Sequence, residues 1–311
     1  MKSKSKILII GGTGFLGFHL AKYLIKKKYN ITSFSLNKPV KHRLIKKVKY
    51  LLCDISKKNL LKKNIDKYYD YVINCGGYVN HYNKVQNYKT HYTGVKNLFS
   101  VFKNKKIKKF IQIGSSLEYG KTTPPNSEGD RCVPKMSYGQ CKLKATKFLL
   151  RQNKKYKFPS VILRFYQLYG PHQDKNRFIP FIISSCMQGD IFPCSHGKQK
   201  RDFLYITDAV DGVYKAITNQ YSVGKIINLG FGKPVMLKTI IEKIKFKIKK
   251  GKPDYGKIKM RKEEHLINYP NITLAKKQLK WKPKTLMLKG LDKTIKYFKA
   301  NNKLNNYQKG L

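Results

Sequence analysis

In the segment MSYGQCK, residues 136–142, a tyrosine and a lysine stand four positions apart. On a helix, residues i and i+4 share one face, so Tyr138 and Lys142 would present a phenol beside an ammonium. A free phenol ionises at about pH 10, too high for acid–base work at neutral pH. A neighbouring ammonium and the positive ring of an oxidised nicotinamide both favour the phenolate and bring that value down. Upstream, IQIGSSLEYG places the hydroxyls of Ser115 and Ser116 at the carboxyl end of an apolar run. A serine there would hold a carbinol or carbonyl oxygen next to the phenol. The chemistry on offer is proton transfer coupled to hydride transfer. The chain holds 22 Tyr and 67 Lys plus Arg, so one such pair also arises by chance. Its meaning depends on the elements that would position it.

The first of these is ILIIGGTGFLG, where Gly11, Gly14 and Gly17 follow an apolar run and open a helical pattern. Glycines let the backbone approach a pyrophosphate, and a helix N-terminus stabilises its charge. A lone glycine pattern is weak. In a strand–turn–helix setting it reads as a dinucleotide cradle built from Gly11, Thr13, Gly14, Phe15, Leu16 and Gly17. An NAD site wants a carboxylate at the end of the second strand, for the ribose 2′-hydroxyl. Here the chain reads SFSLNK, without an acid. Ser35, Asn37 and a lysine could hold a 2′-phosphate instead, so among NAD(P) cofactors NADP is slightly favoured over NAD. Asp54, with Ile55 beside it, closes VKYLLCDI as an acceptor for the adenine amino group or as a helix N-cap.

Around these motifs, KILIIGG, ITSFSL, VKYLLCDI, DYVINCGG, KKFIQIGSS and SVILRFYQLYG read as buried strands. Lys-rich helical patterns alternate with them, such as Leu16, Leu20, Leu24 and Val95, Leu98, Phe99, Phe102. This alternation predicts an α/β fold, a Rossmann-type doubly wound parallel sheet, with a smaller C-terminal substrate-binding lobe. The expected division is a nucleotide-binding part over 1–170, rejoined by part of 200–232. A lobe over 171–299 and a frayed tail over 300–311 follow. No apolar run approaches the roughly 18 residues of a membrane span, and the basic start MKSKSKILIIGG is too short for a signal peptide. A cytoplasmic protein without integral membrane contact is expected. Six cysteines show no metal-type spacing, so no metal site is expected. The net charge is +51, yet only seven of the 67 basic residues are Arg, and the lysines spread evenly. Nucleic-acid readers lean on Arg with a motif to match. The even spread points to a compositional bias of the source genome, with no specific nucleic-acid partner.

Taken together, GGTGFLG, SSLEYG, YGQCK, LYGP and RDFLYITD resemble the extended short-chain dehydrogenase/reductases of the NAD-dependent epimerase/dehydratase type. The resemblance runs from about Ile7 to Phe298, where NITLAKKQLKWKPKTLMLKGL matches the C-terminal pattern. It implies that Tyr138 is the catalytic acid/base, Lys142 binds the nicotinamide ribose and tunes it, and Ser115 is the triad hydroxyl. It places Cys75, Gly76 and Gly77 of VINCGG along the cofactor. It gives Arg201 and Arg261 to the diphosphate of a nucleotide sugar, with Asn176 and Arg177 nearby. Ser116 and Gln167 would face the same substrate, Gln167 where many members have Asn. Cys141 stands where Ser is usual, and His91 replaces a common Asn. His81 either faces the substrate or is a hydrogen-bonded structural histidine. The Asp–Glu pair that 4,6-dehydratases need after the catalytic hydroxyl is here Ser116 and Leu117. Glu118 is expected on the opposite strand face, so dehydration is disfavoured. The function implied is C4 epimerisation or 4-ketoreduction of a nucleotide hexose or 6-deoxyhexose for surface polysaccharide. A homodimer through the helices around 90–104 and 138–152 goes with it. The competing classes are a non-catalytic NAD(P)-binding protein, which would lack Tyr or Lys, and a polyanion-binding protein, which would show Arg-rich or aromatic stripes.

Overall fold

The computed structural model describes residues 5–65, 68–78, 83–260 and 265–307. The first half runs β1 (Lys6–Ile10), α1 (Phe15–Lys26), β2 (Asn30–Ser35), β3 (Val48–Leu52), α2 (Lys58–Asn64), β4 (Tyr71–Asn74), α3 (Lys84–Asn87), α4 (Gly94–Phe102), β5 (Lys109–Ser115), α5 (Ser137–Tyr156) and β6 (Ser160–Phe165). The second half runs β7 (Gln167–Tyr169), α6 (Phe178–Gln188), β8 (Ile191–Cys194), β9 (Lys200–Arg201), β10 (Phe203–Tyr205), α7 (Ile206–Thr218), β11 (Ile226–Leu229), β12 (Val235–Met236), α8 (Leu237–Ile248), β13 (Lys252–Tyr255), β14 (Ile267–Asn268), α9 (Thr273–Leu279) and α10 (Met287–Tyr307). Seven strands form one parallel sheet in the order β11-β6-β5-β4-β1-β2-β3. The chain reverses direction of travel across the sheet between β1 and β4. In open parallel sheets, ligands bind outside the carboxyl ends of the strands at such a switch point.

The central strands β1, β4, β5 and β6 are mostly apolar and buried because helices cover both faces of the sheet. Along β1, Ile7 and Ile9 enter one core, while Leu8 and Ile10 enter the other. Successive side chains of a strand face opposite sides. Each such burial stabilises the fold by roughly 1.5–3 kcal/mol.

Two elements depart from the sequence reading. The run SVILRFYQLYG is two strands, with the break at Tyr166. Past it, β7 leaves the main sheet and pairs in parallel with β10, and Gln167 N–H donates to Asp202 O at 3.0 Å. The tail expected to fray from residue 300 continues as helix to Tyr307. Leu291, Ile295 and Phe298, spaced four and three apart and all buried, anchor α10 on the core. Among the described residues no helix is long and apolar enough to cross a membrane.

Candidate active site

The glycine turn sits where β1 meets α1. Gly11 has φ +75, a conformation that favours glycine, and its N–H donates to Phe34 O. A Cβ there would come within 2.9 Å of Gly76 Cα, and one at Gly17 within 2.2 Å of Gly11 O. The turn therefore lies directly on the end of β4 and under the first turn of α1. No side chain caps α1, and the first amides of a helix have no intrahelical acceptor. Thr13 N–H is taken by Ser35 Oγ at 3.3 Å, which ties the turn to the end of β2. The uncapped first amides of α1, beside this close-packed turn, fit an anionic diphosphate, and the residues present thus suit a dinucleotide. Past β2, Asn37 and Lys38 are exposed, with no carboxylate among 35–38. Asp54 accepts Ser56 N–H at 2.9 Å in a local turn, so it does not cap α2, whose N-cap is Lys57. Ile55 is buried against Gly94.

The phenol, ammonium and serine come together beside this turn. Tyr138 opens α5, and Gly139 lets the helix settle on the turn after β5: a Cβ there would lie 2.3 Å from Leu117 O. Lys142 Nζ donates to Ile113 O at 2.8 Å and stands 5.8 Å from the Tyr138 ring centroid. Burial pushes the Tyr138 phenol up to about 12; the Ser115 hydrogen bond pulls it down, the Glu118 charge pushes up, and Arg177 pulls down. Burial lowers Lys142 to about 8, opposed first by the Glu118 charge. Burial also pushes the Cys75 thiol up to about 12, so it stays protonated. Cys75 and Gly76 link the trio to the glycine turn, since Lys142 acts on Cys75 and Gly76 touches Gly11.

The remaining candidates divide. Arg177 caps the start of α6 and acts electrostatically on Tyr138. Arg201 is buried on β9; its Nη1 donates to Lys200 O and Leu266 O. Asp202, beside it in sequence, accepts Phe231 N–H and Gly232 N–H instead. Arg201 pairs in register with Asn268 of β14, whose Nδ2 donates to Ser116 Oγ at 3.4 Å. Arg201 and Ser116 are thereby brought to the same region. Gln167 and Asn176 are exposed. Arg261 and His81 lie outside the described residues.

Residues 7–230 match the NAD dependent epimerase/dehydratase family. The chain belongs to that family. It is 27% identical to a UDP-N-acetyl-alpha-D-glucosaminuronate decarboxylase of Bacillus cytotoxicus, over 95% of this chain and 98% of the relative. It is 28% identical to a UDP-glucuronate 4-epimerase of Thermodesulfobacterium geofontis, over 94% of this chain and 96% of the relative. Its fold superposes with a TM-score of 0.89 on a UDP-glucose 4-epimerase of Thermotoga maritima solved with UDP-glucose. That match is at 22% identity and covers 95% of this chain and 99% of that one.

Within this epimerase/dehydratase fold, two residues that the sequence reading named, His91 as a replacement for Asn and Glu118 on the opposite strand face, lie beside the trio instead. His91 stands edge-on to Tyr138, ring centroids 4.9 Å apart at 82°, with its Nε2–H given to Tyr78 O at 2.9 Å. Burial, then the Lys142 charge, lowers its pKa to about 3, so the ring is neutral. Its position on a six-residue π-helical turn, Tyr88–Thr93, is invisible to a 3.6-residue period. Glu118 is the second. Strand alternation would send it to the opposite face, but β5 ends at Ser115 and residues Ser116–Glu118 form a 3-10 turn. The carboxylate is fully buried below Ser115. Its oxygens accept Ser115 N–H at 2.9 Å, Thr146 Oγ1–H at 2.8 Å and Arg164 Nε–H at 3.0 Å.

Proposed function

We propose that the chain moves a hydride at C4 of a nucleotide-linked hexose or 6-deoxyhexose, with Tyr138 passing the accompanying proton. One observation carries this reading: Ser115, Tyr138 and Lys142 converge beside a glycine turn that is shaped for a dinucleotide diphosphate. The glycine turn from Gly11 to Gly17 with the first amides of α1, and Cys75, Gly76 and Gly77, would hold the cofactor. Asp54 and Ile55 would meet its adenine. A bound nicotinamide supplies a two-electron hydride acceptor or donor. Ser115 holds the sugar oxygen. In oxidation Tyr138, ionised when the positive ring of an oxidised nicotinamide is bound beside it, would take the hydroxyl proton as the C4 hydrogen passes with its electron pair to that acceptor; in reduction the phenol would return the proton to the carbonyl oxygen. Lys142 stabilises the phenolate and would hold the ribose next to the nicotinamide. Arg177, Arg201 and Arg261 would bind the nucleotide diphosphate, with Asn176, Gln167 and Ser116 around the sugar. The sugar then sits between the carboxyl ends of the sheet and a lobe over 171–299.

Two outcomes share this machinery, and each has an observation behind it. The relatives named for 4-epimerisation favour oxidation and return of hydride on opposite faces of C4. The acid-free end of β2 favours NADP over NAD, and with it a 4-ketoreductase fed by exchangeable NADPH. Dehydration is disfavoured, because Ser116 and Leu117 provide no acid–base pair and both Glu118 oxygens are engaged. The setting is the cytoplasm, in the making of surface-polysaccharide sugars, with two copies paired through 90–104 and 138–152. The test is to release and identify the cofactor that co-purifies, then offer UDP-, dTDP-, CDP- and GDP-hexoses and their 4-keto-6-deoxy forms. Tightly held NAD⁺ with C4 inversion identifies the epimerase; an exchangeable site that uses NADPH on the keto sugar identifies the reductase. No turnover of any nucleotide sugar with either cofactor would reject both.

A further inference from the structure

We propose that Glu118 is a positioning residue for the Ser115–Tyr138 centre: its enclosed carboxylate ties the serine turn to the helix that carries the phenol. This role presupposes Ser115 and Tyr138 as the reacting pair. Glu118 Oε1 accepts Ser115 N–H at 2.9 Å, while Ser115 Oγ accepts Leu117 N–H at 3.2 Å; together they form a capping box. The Ser115 hydroxyl oxygen is thereby held in one place. Glu118 Oε2 accepts the Thr146 hydroxyl of α5 at 2.8 Å. Tyr138, Lys142 and Thr146 follow one another at steps of four, so all three lie along one face of α5. The carboxylate thus grips the same helix face that presents the phenol and the ammonium.

The rest of its surroundings hold it there. Arg164 of β6, itself buried, donates Nε–H to Oε2 at 3.0 Å. Its guanidinium lies 4.4 Å over the Tyr119 ring, whose hydroxyl donates to Asn228 Oδ1 of β11 at 2.8 Å. Gly114 makes room: a Cβ there would come within 2.6 Å of Glu118 Oε1 and 3.2 Å of Arg164 Cγ. Glu118 touches no open space and both oxygens are used, so it takes no proton from substrate. What it sets is the placement of Ser115 against Tyr138, and a misplacement of about 1 Å at a reacting centre costs ~10²-fold in rate. Its charge also stands in the field of Tyr138, Lys142 and Cys132. Tyr138 is faced besides by Ser115, Arg177, His91 and Lys142.

Thr146→Val cuts the tether and keeps the ion pair. In the holoenzyme, kcat should fall ~10- to 10²-fold on the nucleotide sugar that the wild type turns over, with KM and NADH affinity within about twofold. Thr146→Ser should restore most of the loss. In parallel, Tyr138 is titrated by NMR on isotope-labelled tyrosine in the NAD⁺-bound protein, assigned with Tyr138→Phe. Glu118→Gln should lower the titration midpoint, because an anion beside the phenolate is gone; Thr146→Val should leave it. If Glu118→Gln does not fold, Glu118→Gln/Arg164→Met replaces it, since no buried cation is left alone. Wild-type kcat in Thr146→Val, or an unmoved Tyr138 titration in the Glu118 variant, overturns the role. Should no nucleotide sugar be turned over by the wild type, the functional reading fails on its own, and the titration still decides the placement of Glu118.

Discussion

Tyr138 is enclosed by groups that set its proton affinity from different sides. Burial holds the phenol protonated, and Ser115 and Arg177 favour the anion. His91 adds a neutral wall: its pKa of about 3 means that the ring stays uncharged against the phenol face. That has a consequence for stability. An unfolded histidine titrates at about 6.5, so between about 6.5 and 3 the unfolded chain takes a proton that the folded chain refuses. The stability contribution is complete above about 6.5 and is lost as the pH falls, at ~1.4 kcal/mol per pH unit. His19 and His172, both lowered to about 4 mainly by burial, act in the same sense. Thermal unfolding followed from pH 7 down to about 4 should show a steep loss, and His91→Asn should make it shallower. An unchanged slope would mean that His91 is protonated in the folded state.

The elements bring these side chains together through a few close backbone approaches. Gly17 brings α1 onto the glycine turn, and Gly139 brings α5 onto the turn after β5. Gly17→Ala should therefore push α1 off Gly11 O, weakening NADH binding ~10-fold or more and lowering the melting temperature by a few degrees. Fluorescence titration with NADH checks the first and calorimetry the second; wild-type affinity would remove Gly17 from the cradle. The strands of the sheet were legible because burial on both faces writes most of them as short, mainly apolar runs. The Tyr138–Lys142 face was legible because four residues make one helical turn. Three things were not. The break at Tyr166 lies inside an apolar run and depends on β10, distant in sequence, offering a partner. Glu118 was misplaced because strand alternation was carried past the end of β5 into a 3-10 turn. The extent of α10 was missed because its tail is polar while its anchors, Leu291, Ile295 and Phe298, lie upstream.

At the scale of the molecule, 16 acidic residues face 67 basic ones. Three of the buried acids serve as internal clamps. Glu118 holds the serine turn, Asp202 accepts Phe231 and Gly232 N–H, and Asp208 accepts Lys284 and Thr285 N–H. Among the described residues, Arg43, Arg164 and Arg201 are buried as well. The planar guanidinium does there what a lysine does poorly, making several directed bonds from one charge. Arg43 donates to His172 O and to the Asp174 carboxylate, joining the segment after β2 to the loop that leads to Arg177. The segment after β2 is thus tied to the loop that precedes α6. Hydrogen transfer itself is the most direct test of the proposed chemistry. A nucleotide hexose deuterated at C4 is mixed with the cofactor-loaded chain, and the recovered cofactor is analysed for deuterium in its nicotinamide ring. Transfer is expected in the wild type and, in Tyr138→Phe with cofactor still bound, a fall of ~10²–10⁴-fold. Wild-type transfer by Tyr138→Phe, or a turned-over sugar whose C4 deuterium never reaches the nicotinamide, would contradict it.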